Sequence, residues 1–432
     1  MVRVMRVDGR GAKVLPAALK RVEPSADEAV ATSRGIINSV RDRGDAALIE
    51  LTQRFDGVDL SGVGLQVADS ELDAAETTIS DDVRDALAHA IANIRTLHER
   101  QMPEPLAMTE VEPGVWCGDR VTPIDSVCLY VPRGRGAFAS VMCMLGAPAL
   151  VAGVPRIVVC TPPGPEGQVD AATLVAARML GIREIYRVGG AQAVAAVAFG
   201  TESVPKCAKF VGPGNVYVAA ARHLLSDVLD PGPAAGPSES AILCDDSVRP
   251  VNAAWNLLIE AEHGENSCAI LVTHDNAVAE SVATEVETLL GKLDERRQTF
   301  ARSVLETNGG IVVTDSLETS IRLVNEFAPE HLAVMVRRPW EVLGAIRNAG
   351  EVLIGDYPII SLGNYAMGVN AILPTGGRAA SGSCVTVHDF LKRSSVGWVT
   401  RRGFESLRPV VSTMSRDEGF CAHHLAVENW VD

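Results

Sequence analysis

The stretch from Ser126 to Cys160, SVCLYVPRGRGAFASVMCMLGAPALVAGVPRIVVC, decides the fold class. It opens on a β-forming run, Ser126–Val131, and turns at Gly134-Arg135-Gly136. An apolar helical pattern follows over Ala137–Ala152, and a second β-forming run, Arg156–Cys160, closes it. Strand, helix and strand in that order predict two parallel strands with the helix as crossover. The apolar run from Val141 to Val154 is broken by Gly146, Pro148 and Gly153. No run of about 18 apolar residues occurs, so no membrane-spanning helix is predicted.

The alternation continues outward. Strands are predicted at Glu184–Val188 and Lys209–Val211, with helical patterns at Ala171–Leu180 and Ala191–Phe199. It pauses at Asp230-Pro231-Gly232-Pro233-Ala234-Ala235-Gly236-Pro237. A second series then places strands at Ala241–Cys244, Ala269–Val272, Gly310–Val313, Leu332–Val336 and Val352–Ile354. Two such series predict an α/β fold of two Rossmann-like parallel-sheet units. Helical extensions flank them. Ser25 is suited to cap a helix with Asp27 and Glu28 in its first turn, running to about Phe55 and ending at Asp56-Gly57. A second long helix is predicted from Asp69 to about Arg100, with Val83, Leu87, Ile91, Ile94 and Leu97 at helical intervals. Residues 1–23 read as a short arm. The chain after about 385 reads as mostly helical, with a last helix over Asp417–Trp430.

At 432 residues the chain exceeds one compact core, and domains of roughly 100–200 residues predict two to four. Lys and Arg total 39 against 54 Asp and Glu, a formal charge of −15. That balance argues against a nucleic-acid partner, because phosphate binding needs basic stripes. Nine cysteines, an odd number without a CxxC pair, predict buried, reduced thiols in a cytoplasmic protein. The N-terminus, Met1-Val2-Arg3-Val4, lacks the apolar core of a signal peptide.

No Walker A or GxGxxG run is present. Gly134-Arg135-Gly136 and Gly212-Pro213-Gly214-Asn215 are tight turns by default. Each nevertheless sits between a predicted strand and a helix, where backbone N–H groups hold phosphate. His89, His98, His223 and His274 lie in charge-rich contexts and read as solvated. Glu260 and His263 are spaced i, i+3 near a helix end and share one face, either as a surface pair or as two ligands of a divalent metal. Ala328-Pro329-Glu330-His331-Leu332 puts a polar pair at the head of a strand. A Glu beside a His offers two bases of different pKa, suited to successive proton transfers; a loop pair without a role is the other reading.

Seven runs, in order from Tyr130 to Arg393, resemble the histidinol dehydrogenase family, and the match extends over nearly the whole chain. They are Tyr130-Val131-Pro132, Gly189-Gly190-Ala191-Gln192-Ala193, Gly212-Pro213-Gly214-Asn215-Val216-Tyr217-Val218, Ala235-Gly236-Pro237-Ser238-Glu239, Ala328-Pro329-Glu330-His331-Leu332, Leu373-Pro374-Thr375-Gly376-Gly377 and Asp389-Phe390-Leu391-Lys392-Arg393. The resemblance implies a zinc-dependent homodimer that binds NAD and oxidises a primary alcohol to the aldehyde and then the acid. It implies that Tyr130, Gln192 and Asn215 contact NAD, and that Ser238 and Glu418 contact substrate. His331 would take the alcohol proton and Glu330 would activate water on the aldehyde. Metal ligands would fall at Glu260, His263, Asn364 and His423. The resemblance also implies a domain division. An arm covers 1–24, a first Rossmann-like domain with the catalytic and metal residues covers 25–128 and 238–384, an NAD-binding second covers 129–237, and a helical tail covers 385–432.

Four positions depart from the family pattern. Glu260 stands where the family has Gln, and Asn364 where it has Asp, so the formal ligand charge is preserved and zinc binding is expected to persist. Ala371, in Asn370-Ala371-Ile372-Leu373-Pro374-Thr375, replaces a substrate-facing His. Sites built on hydrogen bonds discriminate sharply, so this change predicts another small polar alcohol, an amino alcohol or a diol bearing an anionic group. Arg133 adds bulk and charge beside the expected nucleotide site. The alternatives are a genuine histidinol dehydrogenase of histidine biosynthesis and a non-catalytic binding protein on the same fold. Retention of Glu330, His331, Glu418, Gln192 and Asn215 speaks against the latter.

Overall fold

The computed structural model describes all residues except Met1, Ala12, Ala18, Lys20, Val22, Glu23, Pro24, Ser25, Gly134, Arg135, Ala234, Ala235 and Asp432. The cap expected at Ser25 and two residues of the first glycine turn lie outside the described residues. The chain divides into two units, Met1–Gln101 with Asp125–Phe390, and Met102–Ile124 with Leu391–Asp432.

The first unit is α/β and holds two parallel sheets. The smaller runs in the order Glu184–Tyr186, Arg156–Cys160, Ser126–Tyr130, Lys209–Val211. The larger runs Val4–Val7, Gly310–Thr314, Cys268–Thr273, Glu239–Cys244, His331–Met335, Glu351–Ile354. Its inner strands are buried and mostly apolar because both faces are covered. Ile242, Leu271, Ile311 and Ala333 face one core, and Ala241, Ile270, Val312 and Leu332 the other. The arm expected at the N-terminus contains the edge strand Val4–Val7, parallel to Gly310–Thr314. Its half-exposed pattern, with Arg6 in mid-strand, suits a sheet edge rather than a free tail.

The N-terminal helices are shorter than the sequence predicts. Ala26–Arg43 and Asp45–Asp56 break at Gly44, whose φ of 53° ends helical geometry. Asp69–Ala75 and Asp81–Arg100 break at Ser80, whose hydroxyl accepts the Val83 N–H at 3.3 Å. The sequence reading joins this helical stretch to the larger sheet; in the structure Ile36, Val40, Leu48 and Leu51 instead pack with Ala193, Val197 and Phe210 around the smaller one. Asp81–Arg100 packs on the crossover helix Ala139–Val151. Its His98, read as solvated, is 1% exposed. It sits four residues after Ile94, on the buried stripe.

The second unit pairs Leu106–Glu112, Val115–Pro123 and Leu391–Val399 in an antiparallel sheet, with helices Arg401–Asp417 and Cys421–Glu428. The nine-residue strand Leu391–Val399 corrects the helical reading of the tail. Lys392, Arg393, Ser394 and Ser395 are exposed and carry no period-two apolar signal, so cross-strand pairing decides the conformation. All nine cysteines are free thiols, but Cys117 and Cys421 are exposed rather than buried. Among the described residues no helix is long and apolar enough to cross a membrane.

Candidate active site

A cleft of about 700 Å³ opens in the first unit. One wall comes from the C-terminal strand ends of the smaller sheet, through Tyr130, Pro132 and the loop Pro213, Gly214, Asn215. The other comes from the N-terminal ends of the larger sheet. Ser238 precedes Glu239–Cys244, Ser267 precedes Cys268–Thr273, and Glu330 precedes His331–Met335. Glu260 and Asn364 reach it from the helices Pro250–Ala261 and Ile360–Tyr365.

The Glu330-His331 pair is held by a strained turn. Ala328 takes a left-handed conformation, φ 47°, and swings the chain from the helix Leu317–Phe327 into the strand. Arg21 clamps that turn: it donates to the Phe327 carbonyl and, from Nε, to Glu239 Oε1 at 2.5 Å. The Glu239 backbone N–H in turn donates to Glu330 Oε2 at 2.8 Å. His331, 3% exposed, places Nδ1 2.8 Å from Glu351 Oε2. Its Nε2 lies 3.9 Å from both Glu260 Oε1 and Glu330 Oε1. Three buried carboxylates therefore surround one imidazole. Burial pushes the His331 pKa down, but the Glu351 hydrogen bond and the charges of Glu260, Glu330 and Glu351 outweigh it and hold it up at about 9. Burial pushes the Glu330 carboxyl well above the usual range, with His331 opposing and Glu260 adding to the rise. The cluster carries more negative than positive charge, in a place where charge is poorly solvated.

That imbalance suits a cation. Glu260 Oε2 and Asn364 Oδ1 are buried with no hydrogen-bond partner among the described residues. Asn364 Nδ2 donates to Glu260 Oε1 at 3.4 Å, and His263 Nε2 lies 3.9 Å from Glu260 Oε2. Two unsatisfied buried oxygens beside an imidazole and an anionic ring fit a divalent metal. Among the described residues no group of three or more His, Cys, Asp or Glu side chains is arranged to hold one. The first unit offers three of the four expected ligands, and one of these is an amide. The fourth, His423, and the expected substrate contact Glu418 belong to the second unit, where both are exposed; His423 meets Phe420 edge-on at 5.6 Å.

On the cleft's other wall Tyr130 is buried and stacks on Phe210 at 5.4 Å, and its hydroxyl accepts the Gly190 N–H at 3.0 Å. Asn215 caps the helix Val216–Leu224, accepting from Tyr217 and Val218 N–H at 3.0 and 3.1 Å. Gln192 is buried in the first turn of Gly190–Phe199 and does not line the cleft. Arg133 lines the cleft and donates to the Pro163 carbonyl at 3.1 Å. Ser238 Oγ lies 3.3 Å from His263 Nδ1, and Ala371 lines the cleft beside Ile372 and Leu373. Sequence reasoning missed Arg21 and Glu351. Neither has a spacing relation to Glu330-His331; the only available signal was a lone Glu heading the apolar run Val352–Ile354.

Comparison with known proteins matches residues 19–430 to the histidinol dehydrogenase family. A protein named histidinol dehydrogenase from Synechocystis sp. is 45% identical over 427 residues, 99% of this chain and 98% of that one. "Histidinol dehydrogenase homolog 2" of Mesorhizobium japonicum is 48% identical over 410 residues, 95% of this chain and 93% of its own. The crystal structure of histidinol dehydrogenase from Elizabethkingia anophelis is similar at a TM-score of 0.93 and 32% identity, covering 98% of this chain and 97% of that one.

Proposed function

The chain belongs to the histidinol dehydrogenase family of NAD-dependent oxidoreductases, and from that premise we propose that it oxidises the primary alcohol of a small polar substrate to the aldehyde and on to the acid. The observation that carries the substrate reading is Ala371. It lines the cleft where the family run has a His, beside the apolar Ile372 and Leu373, and offers no side-chain hydrogen bond. Of the two classes expected, the acidic ring of Glu260, Glu330 and Glu351 favours an amino alcohol over an anionic diol. Oxidation of L-histidinol itself is the second reading, supported by near-full-length relatives that carry that name.

When bound, NAD supplies the hydride acceptor and zinc a positive charge beside the reacting oxygen and amine. Tyr130 and Asn215, which line the cleft, would hold NAD, and Gln192, buried behind it, would do so only on a side-chain movement; Glu260, His263, Asn364 and His423 would hold zinc; Ser238 and Glu418 would hold the substrate. His331 takes the alcohol proton through Nε2, the nitrogen that faces Glu330 and Glu260. Glu330, fixed by the Glu239 N–H, orients and deprotonates the water that adds to the aldehyde. The protein would work as a cytoplasmic homodimer.

The test is NAD reduction with L-histidinol and a panel of amino alcohols and anionic diols, counting NADH per alcohol. Two NADH per amino alcohol, with L-histidinol slower, is the expected result. One NADH refutes the step to the acid. L-histidinol as the best substrate refutes the substrate reading, and no turnover together with no NAD binding refutes the enzyme. About one zinc per chain is expected in protein purified without chelator; none would remove zinc from the scheme.

A further inference from the structure

Glu351 has no assigned part in the reaction, yet its placement is costly. It heads the strand Glu351–Ile354, in parallel register with His331 on the neighbouring strand. Its side chain is 4% exposed. No Lys or Arg pairs with it among the described residues. Its one hydrogen-bond partner is His331 Nδ1 at 2.8 Å, and its second oxygen, Oε1, is buried without a partner. A buried carboxylate answered only by an imidazole is a poor stability device. The surroundings nevertheless make room for it. A Cβ at Gly363 would stand 2.5 Å from Glu351 Oε1 and 3.0 Å from Oε2, so a larger residue there would displace the carboxylate from this position. The backbone locks the pair as well: Glu351 N–H donates to the Glu330 carbonyl at 2.9 Å, and Gly350 N–H to the Pro329 carbonyl at 3.0 Å.

We propose that Glu351 is a positioning residue for His331, accepting the Nδ1–H so that the neutral ring keeps one tautomer and one orientation, with its lone-pair Nε2 facing the cleft. The geometry is that of an acid–imidazole dyad, in which the acid sets which nitrogen carries the proton and steadies the imidazolium that forms. This rests on the reading of His331 as the proton acceptor. Glu351 itself touches no reacting atom.

The experiment is a double-mutant cycle on the full-length, zinc-loaded protein, with kcat and KM measured on the fastest alcohol of the panel. Glu351→Gln is isosteric and its amide can donate to Nδ1, which forces the wrong tautomer. It is expected to lower kcat by about 10²–10⁴-fold with KM within about threefold. Glu351→Asp, which keeps the charge at shorter reach, is expected to recover at least about tenfold of that loss. Glu351→Gln/His331→Asn is expected to be no slower than His331→Asn alone, because both changes disable one device. In histidine-labelled protein, 15N spectra taken above about pH 9, where the His331 ring is neutral, are expected to show its Nδ1–H form in the parent and the loss of that form in Glu351→Gln. Parent-like kcat in Glu351→Gln, or losses that add in the double variant, overturns the proposal. Full kcat in His331→Asn instead sinks the underlying assignment of His331. If Glu351→Gln does not fold, a Glu351→Asp enzyme with a changed KM and an unchanged kcat refutes the positioning role.

Discussion

Asn364→Asp puts a second carboxylate where an amide now sits 3.4 Å from Glu260 Oε1. Two unit charges at that distance repel by about 5 kcal/mol at an effective dielectric constant near 20. The pair has another way out, since one carboxyl can keep its proton. Holding a carboxyl protonated from about pH 4 up to neutrality costs about 1.4 kcal/mol per pH unit, roughly 4 kcal/mol in all. The lower figure wins. In chelator at neutral pH the variant is expected to lose about 4 kcal/mol and to bind one extra proton on folding. A companion, Glu260→Gln/Asn364→Asp, returns the pair to a single carboxylate and is expected within about 1 kcal/mol of the parent. Zinc is expected to restore the single variant more than it stabilises the parent, because it answers both charges at once. Urea unfolding with chelator and with zinc, repeated at mildly acidic pH, reads all of this. If Asn364→Asp in chelator unfolds at the parent's midpoint at neutral pH, the two side chains are not neighbours, and the metal site drawn from them fails.

Burial lowers the His98 pKa from 6.5 to about 4, so the unfolded chain takes up the proton first. The stability that neutral His98 contributes is whole above pH 6.5 and is lost as pH falls towards 4, by about 3 kcal/mol; His98→Leu should flatten that part of the urea-midpoint profile. Gly363→Ala forces a methyl against the Glu351 carboxylate and is expected to cost about 1–3 kcal/mol and to lower kcat with little change in KM, measured by urea unfolding and steady-state kinetics. Arg21→Ala leaves Glu239 buried without its cation and frees the Ala328 turn. A loss of about 2–4 kcal/mol is expected, together with lower kcat, and an unchanged unfolding midpoint would show that the clamp has no energetic weight.

The strands of both parallel sheets, apart from the edge strand Val4–Val7, were legible because each is a short apolar run bounded by turn residues, as Arg156–Cys160 shows. Leu391–Val399 was not, since its Lys, Arg and Ser residues gain β structure only from the partner strand. Helix breaks at Gly44 and Ser80 hide inside patterns that remain helical on both sides. Glu330-His331 stood out through its neighbours in sequence. Glu351 did not, because twenty residues separate it from His331 and only the parallel register joins them. The excess of buried acid around that imidazole is likewise a property of three elements meeting, and no single segment carries it.

The cleft takes its two walls from opposite strand ends of two sheets that share no strand. This makes the protein a convenient chassis for engineering. A cleft-lining position such as Ala371 can be randomised while the Tyr130–Gly190 bond and the Asn215 cap keep their own supports. A library confined to one wall therefore varies one side of the cleft against an unaltered opposite wall, the one proposed to seat the dinucleotide.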